Sequence, residues 1–161
     1  MKKIPSRLIK TNFYLEVPPA DIDLSRFRTL IVNICRQFKV PQAVINIRIV
    51  DDAGITDVHR QFLGLSTATD VISFDLSDDF EPGRTFELAV NLQMAARQAA
   101  QRGHSTEAEL ALYITHGLLH HLGFDDATPA QARNMHAMED SILQKNGFGI
   151  VYSDVNFRIF Y

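Results

Sequence analysis

The sequence predicts an α+β fold in one domain, a small mixed or antiparallel sheet packed with helices. Three observations carry that expectation. Strand-like alternation of apolar residues is concentrated before Asn91, whereas helical spacing dominates after it. No internal repeat, low-complexity segment or linker divides the chain, and 161 residues is the length of one domain with a core of its own, so residues 1–161 are read as a single unit.

Residues 13–17 read as a short strand stopped by Pro18 and Pro19. Leu24, Phe27, Ile31, Ile34 and Phe38 then recur at helical spacing, giving a helix with one buried stripe. Pro41 ends it, and residues 44–50 place Ile45, Ile47 and Ile49 on one face of a half-buried strand. Asp51 or Asp52 is suited to cap a second helix running to about Leu63. Residues 71–76 and 86–90 are two more strands, paired as a hairpin across a loop containing Pro82 and Gly83. Helices are expected at about 92–101, 106–122 and 129–145. Thr106 with Glu109 and Thr128 with Gln131 stand at capping-box spacing, Pro129 follows at a first helical position, and Gly123 and Gly147 mark helix ends. The tail, 148–161, alternates enough to suggest an edge strand.

Composition narrows the function. Apolar residues make up 46% and charged residues 22%, which excludes a disordered or fibrous chain. A net charge of -3 lacks the positive excess of a protein that coats nucleic acid, so any RNA contact must be local. Lys2, Lys3, Arg7 and Lys10, and Arg26, Arg28, Arg36 and Lys39 on the first helix, offer such local charge. The single cysteine, Cys35, sits among apolar residues and reads as a buried thiol in a reducing compartment. Without a signal-peptide core or a run long enough to span a bilayer, the expected location is the cytoplasm, with no membrane partner.

The chemistry concentrates around one helix. His116 and His120 are four residues apart on a segment apolar on nearly every side, so two rings project from one face of a buried central helix, as in HExxH metalloenzymes. Gly123 lets the chain turn and bring Asp125 or Asp126 beneath that face as a third ligand, leaving a fourth position for a water that the ion would acidify. Two buried imidazoles facing each other need partners, and one metal serves both; the alternative, each bonded to backbone carbonyls, is the ordinary fate of a buried histidine. His121 points about a hundred degrees away from His120 and is expected to pack instead. His59, His104 and His136 read as solvated or capping groups. Glu109 reads as a helix cap, or as a group that hydrogen-bonds a ligand from two turns away.

The string from His116 through Gly117, His120, Gly123 and Asp125 to Asp126 resembles the HGxLHxxGxDH signature of the bacterial YbeY family, with Asp126 in place of the third histidine. Residues 69–74, Thr-Asp-Val-Ile-Ser-Phe, are similar to that family's TDVLSF strand, and 86–91 to its next strand; Met135 and Glu139 fall where its last helix carries them. The resemblance implies an α+β fold with a zincin-like site. It also implies a single-strand-acting endoribonuclease in ribosomal RNA maturation, at the 16S 3′ end, and in ribosome quality control. Its partners would then be ribosomal RNA, the small ribosomal subunit and ribosomal proteins, and not DNA. It further implies metal ligands at His116, His120 and Asp126, one zinc ion, and a cleft lined by Thr69, Asp70 and Ser73.

Four positions depart from the family pattern. Beside Asp126, Leu63 stands where the family commonly has an arginine, His59 replaces an asparagine, and Phe86 a glycine. A carboxylate ligand cancels one unit of the ion's charge and suits harder ions, so manganese, or nickel, is an alternative to zinc. Arg60, three residues before Leu63, is the candidate to replace the missing catalytic charge. Two rival functions share the spacing. A metallopeptidase needs a glutamate directly after the first histidine, where this chain has Gly117. A noncatalytic ribosome-associated module would use the metal only to tie helix to turn.

Overall fold

The computed structural model describes residues 8–18 and 22–149. Four strands form one sheet in the order β1 (Ile9–Leu15), β2 (Ala43–Val50), β4 (Arg84–Asn91), β3 (Val71–Asp75). The first two pairings are parallel and the last antiparallel, so the sheet is mixed. The parallel pairs require crossovers, which α1 (Leu24–Gln37) provides between β1 and β2. The helix α2 (Asp52–Leu63) and strand β3 lie between β2 and β4 along the chain, and α3 (Leu92–Arg102), α4 (Thr106–Leu119) and α5 (Pro129–Lys145) complete the domain.

Alternation along the strands separates two apolar layers. Ile45, Ile47, Ile49, Phe86, Leu88 and Val90 face α1, α4 and α5 in the main core. Val50, Ile72 and Ala89 face the other way, against Ile55 and Val58 of α2. The central helix is α4, whose residues from Ala108 to Leu119 are buried except for His116. Gly117 makes this placement possible: a Cβ there would stand 3.1–3.2 Å from Leu88 and Val71, so the backbone sits directly on β3 and β4. A side chain at that position would have to push Leu88 and Val71 aside, and the chain has no glutamate there to serve as a peptidase base.

Three expectations need correction. The first strand runs from Ile9, not Phe13, because its partner is β2 in parallel register, Ile9 opposite Ala43 and Leu15 opposite Ile49; as an edge strand it exposes too much for its apolar period to show. The cap of α4 is Ser105, whose side chain accepts from the Ala108 amide, and Glu109 points inward. The helix expected to reach 122 ends at Leu119, and the caps of α2 and α5 are as expected. Asp51 caps α2, and Thr128 and Gln131 form a reciprocal capping box with Pro129 inside it. The tail expectation falls on residues 150–161, outside the described residues. Cys35 is buried, and burial pushes its thiol up to about 11, far from reactive.

Gly83, at φ +88, sets the start of β4. A Cβ there would lie 2.6 Å from the Gln42 carbonyl oxygen, the same oxygen that accepts from the Arg84 amide at 2.9 Å. Gly83→Ala therefore meets both a left-handed backbone and a main-chain clash. It should cost about 1–3 kcal/mol, read as a lower midpoint in urea unfolding with little change in slope.

Candidate metal centre

The last turn of α4 sets the geometry. Beyond Leu119 the chain tightens, with the His121 amide on the Leu118 carbonyl and the Leu122 amide on Leu119. Gly123 then turns at φ +99, and the Phe124 amide returns to the Leu119 carbonyl, a Schellman closure. Asp125 steadies the next residue by accepting from the Asp126 amide at 2.8 Å, so Asp126, not Asp125, swings beneath the helix.

There, His116 Nε2 and His120 Nε2 stand 3.1 Å apart, and Asp126 Oδ2 lies 3.6 Å from the first and 3.7 Å from the second. The rings are nearly perpendicular. A tetrahedral ion with bonds of about 2.0–2.1 Å holds its donors about 3.3 Å apart. The three atoms are thus already close to the edge lengths such an ion needs, and the two nitrogens and one carboxylate oxygen are a donor set that fits a divalent cation.

The tautomer of His116 is fixed from behind. Its Nδ1–H donates to Glu139 Oε1 at 2.8 Å, which leaves the Nε2 lone pair facing His120 and Asp126. Glu139 is fully buried on α5, and His136 Nδ1 approaches its second oxygen at 3.4 Å. Burial opposes both charges, yet the bond between them prevails: Glu139 is held below the usual carboxylate range, and His116, with Asp70 and Asp126 adding their fields, above the usual imidazole value. Glu139 is the functional residue that spacing alone did not reveal. It lies twenty-three positions from its partner, and its only sequence signal was a glutamate on the buried side of an amphipathic helix, beside Met135. Glu139→Gln keeps the shape and an acceptor but removes the charge. Metal affinity should fall about 10–100-fold in competition with a chromogenic chelator while the fold persists; undiminished affinity would assign Glu139 to packing alone.

The remaining expected residues are placed as follows. Ser73 bonds His121 Nε2 at 3.0 Å, and that ring stacks on Phe86, so His121 packs as expected; burial lowers its pKa. Asp70 caps the start of β3 through the Val71 amide, and its side chain also accepts from Thr69. Arg84 ties the hairpin to the end of α4, reaching Asp75 at 2.8 Å and the His121 carbonyl at 3.2 Å. Arg60 is exposed and makes local contacts, with Asp57 at 3.3 Å and Ser66 at 3.4 Å, on the helix that packs against the opposite face of the sheet. Glu109 is neither cap nor second partner of His116: it accepts from Arg102 and His104 at the α3–α4 corner, which also accounts for His104. No helix among the described residues is long and apolar enough to cross a membrane.

Comparison with known proteins gives the family. The family model "Endoribonuclease YbeY" matches residues 16–147. Curated proteins named endoribonuclease YbeY are similar along most of their length. That of Beutenbergia cavernae is 36% identical over 135 residues, covering 78% of this chain and 89% of the relative. That of Thermobifida fusca is 34% identical, covering 79% and 86%. A solution structure from Thermotoga maritima shares the fold, with a TM-score of 0.58 at 19% identity over 84% of this chain and 90% of that one. The match spans every element from α1 to α5, including the histidine helix and the helix that carries Glu139, and the chain belongs to the endoribonuclease YbeY family.

Proposed function

We propose that the protein is a metal-dependent endoribonuclease that cuts single-stranded RNA during ribosomal RNA maturation, at the 16S 3′ end, and in ribosome quality control in the cytoplasm. The observation that carries the reading is the convergence of His116 Nε2, His120 Nε2 and Asp126 Oδ2 within 4.8 Å, in a chain whose relatives are named endoribonucleases.

These residues would hold one ion, zinc first and manganese or nickel as alternatives suited by the carboxylate. When bound, such an ion supplies Lewis acidity toward a phosphoryl oxygen and acidifies water at the open position. The chain's own contribution is positional. Glu139 keeps His116 in one tautomer, and the Gly123 turn fixes the reach of Asp126. Asp126 is half-exposed, so the open side of the group faces solvent and admits an extended strand. The small ribosomal subunit and its proteins are the partners this role requires.

The test compares chelator-stripped protein with protein reloaded with zinc or manganese, on labelled single-stranded RNA, duplex RNA and casein. Cleavage of single-stranded RNA that disappears on stripping and returns on loading is expected. Cleavage indifferent to metal, or casein cleaved in preference, overturns the reading; a protein that binds metal without turnover on any substrate would be the ribosome-associated module instead.

A further inference from the structure

The group needs positive charge it does not itself contain. Asp126 contributes a carboxylate to the donor group, and Glu139, hydrogen-bonded to His116, places a second carboxylate directly behind it. Such a centre does not attract a phosphodiester unaided. Along α5, a cavity of about 630 Å³ opens from Asp126, walled by Ala132, Arg133 and His136. Pro129, Ala132, Arg133, His136 and Ala137 fall at helical spacing on one face, and the small ones among them leave the room. Arg133 is exposed there.

Its freedom from other duties is informative. Arg26, Arg48, Arg60, Arg84, Arg97 and Arg102 each hold a carboxylate. Arg28 lies over the Phe13 ring, and Arg36 has a partner of its own. Among the described arginines, only Arg133 has neither an ion pair, a hydrogen bond nor a ring contact. Arg60, by contrast, is held by Asp57 and Ser66.

Resting on the nuclease reading, we infer that Arg133 binds a backbone phosphate of the single-stranded RNA in the cavity beside His116, His120 and Asp126, and is the cation that offsets the carboxylates there. A guanidinium suits this because it forks onto two phosphate oxygens and stays charged at any working pH. Ala132 and Ala137 keep the wall low enough for a nucleotide to lie along the helix toward Asp126.

The experiment measures binding of the metal-loaded protein to a fluorescent single-stranded 2′-O-methyl oligonucleotide across a salt series, with its integrity checked on a gel, alongside cleavage of ordinary RNA by wild type. Arg133→Gln should weaken binding about tenfold and reduce the slope of log affinity against log salt by about 0.7, the loss of one phosphate contact. Arg133→Lys should restore the slope and part of the affinity. Metal content and thermal unfolding should match wild type in both. Lys145→Gln, an exposed charge at the far end of α5, should change neither quantity.

Binding and slope unchanged in Arg133→Gln, with RNA still cleaved by wild type, overturns the inference and leaves the nuclease reading intact. An equal slope change in Lys145→Gln also overturns it, since the charge effect would then be diffuse. Oligonucleotide held through Arg133 by a protein that never cleaves RNA supports the contact and removes the nuclease reading. A wild type that neither binds nor cleaves ends both.

Discussion

A His116→Ala variant is expected to emerge from purification essentially free of metal and inactive on RNA, and to be less stable even when metal is absent from both proteins. The first effect follows from losing one of three donors; removing an outer partner of a ligand already costs about 10–100-fold in affinity, and removing the ligand costs more. The second follows from Glu139. With the imidazole gone, a fully buried carboxylate keeps only the longer 3.4 Å approach of His136. Breaking a buried pair by deleting one partner costs about 3–5 kcal/mol, and the remaining histidine places this case toward the lower end. Denaturant unfolding of stripped wild type against stripped variant isolates that term, because bound metal would otherwise add its own stabilisation by mass action. Retention of stoichiometric metal by the variant would remove His116 from the ligand set.

The second large effect lies away from the metal. Glu109 has no exposed surface, and its Oε1 accepts from Arg102 Nη1 at 2.9 Å and from His104 Nε2 at 2.6 Å, while the Arg102 side chain is only 9% exposed. This cluster fastens the last turn of α3 to the first turn of α4 across the left-handed Gly103. Glu109→Ala deprives a nearly buried guanidinium of its carboxylate, which should cost about 3–5 kcal/mol and lower the melting temperature by on the order of 10 °C in a domain of this size. Metal affinity at 25 °C should be unchanged, since Glu109 bonds nothing at the metal group. If affinity fell with stability intact, Glu109 would have to act on His116 after all.

These two residues show where reading the chain succeeds and fails. The i, i+4 histidines, the glycine turn and the acidic pair after it are all local, so ligand candidates could be named from spacing; the geometry then chose Asp126 over Asp125 because Asp125 is spent on the Asp126 amide. Glu109 was at the right spacing for a cap, but Ser105 starts the helix one residue earlier and frees the glutamate to turn inward. Neither the partner of Glu139 nor the place of Arg133 had a local signal. Their roles depend on α5 lying beside the end of α4, which nothing between Gly123 and Thr128 reveals.

The same division holds for the fold. Alternation in β2 and helical spacing in α1 were legible because each buries one face against the core, and burial imposes a period. The edge strand β1 exposes most of its residues, so its start was misplaced by four positions. Parallel pairing of β1, β2 and β4 was left open, since strand direction is set by crossovers and not by side-chain pattern. What the chain determined by itself was its element types, its ligand candidates and its single-domain size, all properties of neighbours within a few residues. The tertiary structure alone decided which carboxylate meets the histidines, which one fixes the tautomer of His116 and which arginine among the described residues stands free, because each depends on contacts that spacing along the chain does not set.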